Sequence, residues 1–380
     1  MQSLPLHIKV KMTKYRIKEW VAEYGEEGVY ISFSGGKDST VLLHLVREEY
    51  PNIPAVFVDT GLEYPEIRQF VKSFENVEWL RPKINFKQVI EKHGYPFISK
   101  EVSECVQGAR KYLTSIQNEL SLSTEQNRTE QNRTDVLISI PTISCVELAN
   151  IPQRLAIMLG QYDDWYKVNH KTNSLPRRDG NRSMFSQEKY KFFLEAPFEI
   201  SNKCCNVMKK DPAHKYHRDT GRNPIIATMA SESRLRTQKW LQNGCNGFDL
   251  VIPTSTPMSF WTEQDVLQYI KDNNLSICSV YGDIVEDFSK STKIEGQVTL
   301  DDMGLLELDK PKLKTTGCDR TGCMFCGYGC HMKDDERFLR MKTTHPKQYE
   351  YIMKPREEGG LGYKDIIDWI NENGNLNIKY

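Results

Sequence analysis

The 380-residue chain lacks a net charge, since 51 Lys and Arg offset 51 Asp and Glu. Nothing global therefore draws it to nucleic acid or to an anionic membrane, and only a local patch could do so. It has no apolar run near the ~18 residues that a membrane span needs, and its mean hydropathy is −0.57. Met1 to Lys11 carries basic side chains but no apolar signal-peptide core. The expectation is a soluble, cytoplasmic protein with no membrane partner. No Gly/Ser- or Pro-rich linker divides the chain, so a C-terminal unit is expected to pack on the rest. The length exceeds what one core usually organises, which predicts a main domain with smaller additions.

Cysteine is not scarce. There are ten, and in a reducing compartment they do not form a disulfide framework. Cys105, Cys145, Cys245 and Cys278 stand alone and read as small buried hydrophobes. Cys204 adjoins Cys205, and Cys318, Cys323, Cys326 and Cys330 fall within 13 residues. Clustering of that kind points to metal or redox chemistry.

From residue 12 to 95 apolar strands alternate with amphipathic helices. Strands are predicted at Val29–Phe33, Ala55–Val58 and Val77–Leu80. Helices are predicted at Tyr15–Tyr24, around Val41–Val46, from Pro65 and near Phe86–Lys92. Continuous apolar strands between such helices mean a parallel sheet covered on both faces, an α/β doubly wound fold. Residues 115–135 break the pattern: EQNRT at Glu125–Thr129 repeats at once at Glu130–Thr134 and reads as a surface loop. Residues 166–192 hold seven Lys or Arg against two acids, a solvated face or a nucleic-acid contact. Pro224–Met229 reads as a further buried strand. Thr262–Asp265 makes a capping box, with Trp261 placed to staple onto Val266. Helices are also expected around Asp335–Lys342 and Tyr363–Asn371. The domain boundaries expected are an N-terminal helical segment at 1–25, the α/β domain at 26–285 with an insertion at about 110–195, and a cysteine-rich helical region at 286–380.

The most informative segment is SFSGGKDS, Ser32–Ser39, between a buried strand and a helix, where α/β sheets bind ligands. Gly35 and Gly36 let the backbone turn and bring N–H groups to an anion. Ser34 and Ser39 add hydroxyls, Lys37 a point charge, and the helix its positive N-terminus. It is not a Walker A loop, because Asp38 follows Lys37 and Ile31 stands where that motif needs Gly.

SGGKDS resembles the PP-loop of the ATP-pyrophosphatase family, and VFVDTGLEYPE at Val56–Glu66 is similar to the strand end of its phosphoadenosine phosphosulfate (PAPS) reductase branch. The resemblance implies a sheet of the adenine nucleotide alpha-hydrolase-like, HUP type, with a small C-terminal Cys-rich helical unit. It implies that Ser34, Gly35, Gly36, Lys37, Asp38 and Ser39 hold the phosphates and that Asp59, Thr60 and Gly61 line the adenosine side. ASESRLR at Ala230–Arg236 is similar to the segment that contacts the sulfate or phosphate end, which implies that role for Arg234 and Arg236. Lys37 and Asp38 are the implied catalytic pair. The nucleotide would be ATP, adenylyl sulfate (APS) or PAPS.

The adenylyl-sulfate reductases, close relatives, hold a [4Fe–4S] cluster with a Cys-Cys pair and a later Cys-x-x-Cys. That implies Cys204, Cys205, Cys323 and Cys326 as ligands. The C-terminal set Cys318, Cys323, Cys326 and Cys330 could instead bind zinc or a cluster alone. The chain ends NLNIKY, without the Glu-Cys-Gly-type tail of these reductases, and Cys330 beside His331 is the nearest candidate nucleophile. The expectation is a thiol-dependent reductase of the nucleotide's sulfate, an oxidoreductase on sulfur groups, with a thiol reductant or sulfur-donor protein as partner. Two alternatives stand beside it. One is an ATP-dependent sulfurtransferase of the DndC or tRNA-thiolating kind, with residues 166–192 on nucleic acid. The other is a non-catalytic nucleotide- and metal-binding module. A homo-oligomer is compatible with any of them.

Overall fold

The structure, a computed structural model, describes residues 1–125, 150–171, 187–287 and 312–380. The second EQNRT copy and the middle of the basic stretch lie outside the described residues, as does Cys145. The chain divides into two compact units, Met1–Asn85 with Val207–Met324, and Phe86–Asn206 with Phe325–Tyr380. This differs from the three consecutive segments expected.

The first unit is built on a six-stranded sheet. Its strands are β1 (Val29–Ser32), β2 (Ala55–Val58), β3 (Val77–Leu80), β5 (Asn223–Ile226), β6 (Asn246–Gly247) and β7 (Thr254–Ser255), ordered β3-β2-β1-β5-β7-β6. All neighbours are parallel except β6, which runs antiparallel to β7. The order moves outward from β1 to β3, then restarts on the other side at β5, as the doubly wound reading expects. The β1–β5 boundary is the point where ligands bind in such sheets.

The N-terminal helix α1 (Leu6–Tyr24) belongs to this unit because Ile17 and Trp20 are fully buried in its core. Helix α2 (Lys37–Arg47) buries Val41, Leu42, Leu45 and Val46 in that same core, a period-3.6 face each of whose side chains contributes roughly 1.5–3 kcal/mol. Helix α3 (Pro65–Lys72) starts at a proline, whose fixed φ suits a first turn.

A late helix, Glu263–Asp272, opens on the predicted capping box: Thr262 N and Oγ1 both donate to Asp265 Oδ2, each at 2.7 Å. Lys9, buried on α1, reaches the same carboxylate oxygen at 2.6 Å. The unit also holds a short antiparallel pair, β8 (Ile284–Asp287) and β9 (Lys312–Thr315).

The second unit is mainly helical, with α4 (Phe86–His93), α5 (Lys100–Glu125), α6 (Gln153–Met158), α7 (Tyr162–His170), α11 (Arg337–Thr344), α12 (Pro346–Met353) and α13 (Tyr363–Gly374). The remaining helices of the first unit are α8 (Asp211–Thr220), α9 (Arg234–Asn243) and α10, the capped Glu263–Asp272. A parallel pair, β4 (Phe97–Ile98) with β10 (Gly327–Tyr328), brings the C-terminal segment beside the start of α5. Helix α5 runs on to Glu125, past the break read at residue 115. No Gly or Pro interrupts it after Gly108, and Val102, Val106, Ala109, Leu113 and Ile116 keep one buried stripe.

Candidate functional site

The loop from Ser34 to Ser39 leaves β1 and enters α2, and its conformation follows from its own side chains. Gly35 adopts φ +71°, and a Cβ there would sit 2.7 Å from Val71 Cγ2 and 2.9 Å from Ile67 Cγ2. Only glycine fits that turn without strain. Ser39 Oγ accepts from Ser34 N at 3.2 Å and donates to Gly36 O at 2.9 Å. Ser34 Oγ accepts from Gly36 N at 3.3 Å. The Lys37 amide donates to Tyr281 Oη at 3.1 Å, and Tyr281 Oη bonds Thr321 Oγ1 at 2.6 Å. The first N–H groups of α2, its orphan donors, therefore turn toward hydroxyl oxygens that an anion can replace.

Lys37 is only 3% exposed, and its ammonium lies 3.0 Å from Asp319 O, 3.0 Å from Glu263 Oε1 and 3.6 Å from Asp38 Oδ1. Burial opposes that charge, but Asp38 and Glu263 outweigh it and raise the lysine pKa. Burial raises the Asp38 carboxyl against the pull of Lys37, and its Oδ1 has no hydrogen-bond partner.

The segment after β5 converges on the same crevice. Ser233 caps α9 by accepting from Arg236 N at 3.3 Å. The Arg236 guanidinium contacts Glu232, whose other oxygen lies 3.5 Å from Arg320 Nη1. Burial lowers the Arg236 pKa, Arg320 lowers it further, and Asp38 acts the other way. Lys37, Asp38, Arg236 and Arg320 thus act on one another at the carboxyl ends of β1 and β5. Arg234 is exposed, and no contact of its side chain with this group is observed.

Beside the loop, a cleft of about 160 Å³ is lined by Phe33, Val58, Tyr64 and Ile67, with Glu63 and Lys209 as its charged groups. It is smaller than the about 300–1,000 Å³ of a pocket for a drug-sized ligand, so it suits a base or ring rather than a whole nucleotide. Asp59, Thr60 and Gly61 are not among its walls. Asp59 is buried and accepts from Arg68 Nη2 at 2.9 Å, with Arg81 Nε at 3.7 Å. Thr60 donates from N and Oγ1 to the Glu63 carboxylate. The Asp-Thr-Gly turn bonds its own neighbours, and Val56–Val58 supply the cleft's wall.

The cysteines divide between the units. Cys318 and Cys323 belong to the first, and Cys204, Cys205, Cys326 and Cys330 to the second. None of the nine described cysteines forms a disulfide. In the second unit the thiols of Cys204, Cys205 and Cys326 add to the effect of burial in raising the Tyr328 hydroxyl. Cys326, Cys204 and Cys330 do the same at the fully buried Tyr363. Yet among the described residues no group of three or more His, Cys, Asp or Glu side chains is arranged to hold a metal ion. The expected ligand sets, Cys204–Cys205–Cys323–Cys326 and Cys318–Cys323–Cys326–Cys330, each draw on both units.

Cys330 was expected as an activated thiol. Instead burial pushes it up to about 12, only partly opposed by Arg337. His331 bonds Tyr190 Oη at 3.2 Å. A nucleophilic cysteine needs the reverse, a lowered pKa and access.

Sequence reasoning missed Tyr281, Thr321, Arg320, Glu263 and Glu232. Arg320 and Thr321 lay between cysteines that were read only for their spacing. Glu232 sat inside ASESRLR, where only the arginines drew notice. Tyr281 carried no local signal, since its role depends on a contact 244 residues away in sequence.

The family model described as the phosphoadenosine phosphosulfate reductase domain matches residues 28–121 and 156–328, well over half of the chain. The phosphoadenosine 5′-phosphosulfate reductase of Xanthomonas campestris pv. campestris is 27% identical over 99 residues, 25% of this chain and 41% of its own. That of Xanthomonas euvesicatoria pv. vesicatoria is 30% identical over 80 residues, 20% and 33% of the two chains. An uncharacterized protein of Methanocaldococcus jannaschii is 41% identical over 70 residues, 17% of each. The match thus spans 41% or less of the length of these curated relatives. Among solved structures, phosphoadenylyl-sulfate reductase from Candida auris, in a phosphate complex, is 12% identical with a TM-score of 0.33, covering 70% of this chain and 82% of that one.

Proposed function

The chain belongs to the phosphoadenosine phosphosulfate reductase domain family, and we propose that it is an enzyme reducing the sulfate of adenylyl sulfate or 3′-phosphoadenylyl sulfate with a separate thiol. The observation that carries this reading is Lys37, a buried cation at the N-terminus of α2, neutralised by carboxylates and a carbonyl that a phosphate can displace. The base enters the cleft beside Phe33 and Tyr64. The 5′-phosphate replaces the hydroxyl oxygens at the loop amides and takes the Lys37 ammonium. Asp38, 3.6 Å from that ammonium, keeps it oriented. The sulfate lies toward Arg236, whose planar fork suits an oxyanion.

The chemistry balances with two thiols. A thiolate sulfur bonds to the sulfate sulfur, and the bridging oxygen–sulfur bond breaks with its electron pair on the 5′-phosphate, releasing AMP or its 3′-phosphate. Lys37 and the loop N–H groups stabilise that charge as it develops. A second thiolate attacks the thiol-derived sulfur of the resulting S-sulfonate, and its bond to the sulfonate group breaks with the electron pair on the departing sulfite, leaving a disulfide. The thiol pair loses the two electrons that the sulfate gains. Because the Cys330 thiol is buried and pushed up to about 12, both thiols are assigned to a separate reductant.

The test is anaerobic incubation with APS, PAPS or ATP and a protein dithiol. Sulfite from APS or PAPS, lost in Lys37→Ala, is expected. Pyrophosphate from ATP with no sulfite from either sulfate ester would overturn the reading.

A further inference from the structure

We propose that Arg320 is an anion-binding residue that works as a pair with Arg236, and that Glu232 holds their shared position while no nucleotide is bound. The inference rests on the nucleotide reading above and assigns specificity within it: Arg320 selects nucleoside 5′-anhydrides, with an anion beyond the first phosphate, over nucleoside monophosphates.

Three observations lead there. The first is how the segment after β9 is fixed. Thr316 N donates to Asp283 O at 3.0 Å, Gly317 N to Tyr281 O at 2.8 Å and Cys318 N to Val280 O at 2.9 Å. Gly317 permits this approach, since a Cβ there would lie 2.4 Å from Val280 O. The segment is therefore stitched to the strand of chain that carries Tyr281.

The second is where the next residues go. Asp319 O receives the Lys37 ammonium at 3.0 Å, and Thr321 Oγ1 bonds Tyr281 Oη, which in turn receives the Lys37 amide. The residues on either side of Arg320 are thus both held against the phosphate loop. Arg320 itself remains 64% exposed on its side chain, with its guanidinium directed to Glu232 at 3.5 Å.

The third is the charge arrangement. Two guanidinium groups, from α9 and from this segment, share one carboxylate, and both act on Asp38 at the head of α2. A carboxylate between two arginine forks occupies the place that a sulfate or a β-phosphate would take. The carboxylate is also held from the backbone, because the Oε2 that meets Arg236 accepts from Met229 N at 3.1 Å. An incoming anion competes with that carboxylate for the two guanidinium groups.

The experiment is calorimetric titration, without thiol, of the full chain and three variants with APS and AMP. Arg320→Ala should lower the preference for APS over AMP at least tenfold, and Arg320→Lys should restore part of it. Glu232→Gln keeps an oxygen for the Met229 amide and removes the competing charge. It should tighten APS severalfold and leave AMP unchanged. A plain structural ion pair predicts no gain in Glu232→Gln, and that result, or an unaltered preference in Arg320→Ala, overturns the proposal. If the unsubstituted chain binds neither nucleotide, the parent reading falls and takes this one with it.

Discussion

The phosphate loop and the cysteine-bearing second unit are both dense in reactive side chains, but they are assembled in opposite ways. The loop is held by neighbours. Ser34, Gly36, Ser39 and Thr40 bond one another within seven positions, and its one strained backbone angle is met by glycine. The thiols of the second unit come from distant stretches, residues 204–205 and 326–330, and meet around Tyr328 and Tyr363. The loop keeps its cation charged and within reach of exchangeable oxygens, whereas burial keeps the Cys330 thiol protonated. The difference teaches that abundance of a reactive residue type does not locate chemistry. The environment that selects its ionised form does.

The largest effect expected from this contrast is on thiol reactivity. With its pKa at about 12 instead of 9.0, Cys330 should alkylate roughly a thousandfold more slowly than a model thiol at neutral pH. Mass-spectrometric mapping of iodoacetamide labelling checks this, and fast labelling at Cys330 in the folded chain would break the comparison. The same shift has a pH sign. Between the ordinary thiol value and about 12 the unfolded chain loses a proton that the folded one keeps, so stability falls as pH rises through that window.

Next in size, Lys37→Ala should weaken nucleotide binding about a hundredfold, near 2.7 kcal/mol, with an unchanged far-ultraviolet circular dichroism spectrum. The difference between two glycines of the first unit is smaller, about 2 kcal/mol. Gly35→Ala meets both a left-handed φ and two side chains within 3 Å, while Gly61, at φ +74°, has nothing within 4 Å. Denaturant midpoints should show a loss of about 2–4 kcal/mol for Gly35→Ala and about 1 kcal/mol for Gly61→Ala. Equal losses would mean that packing at Val71 and Ile67 does not constrain the loop. Smallest is Tyr281→Phe, which removes the hydroxyl between Lys37 N and Thr321 and should cost about 1 kcal/mol of folding stability, read from the denaturant midpoint.

Much of the first unit was legible in the sequence because its signals are local. β1, β2 and β3 fall where apolar runs were read, α2 follows its buried stripe, and the Thr262 box caps its helix. The SGGKDS loop was legible for the same reason. The convergence of Arg236 on that loop was foreshadowed by the strand preceding it, since β1 and β5 end side by side. What stayed hidden depends on pairing across long separations. Tyr281 reaches Lys37, Glu263 reaches Lys37, and α5 continues past residue 115 on a stripe that only packing reveals. The grouping of residues 86–206 with 325–380 was not legible in a linear reading, since no composition shift marks either boundary.

The central claim is that an adenine nucleotide sits at the β1–β5 crevice on the Ser34–Ser39 loop. Hydrogen–deuterium exchange with and without PAPS tests it most directly. The account predicts slowed exchange at the amides of Gly36 to Ser39 and of Ala230 to Arg236. Slowed exchange confined to other segments, with these two unchanged at saturating nucleotide, would contradict it.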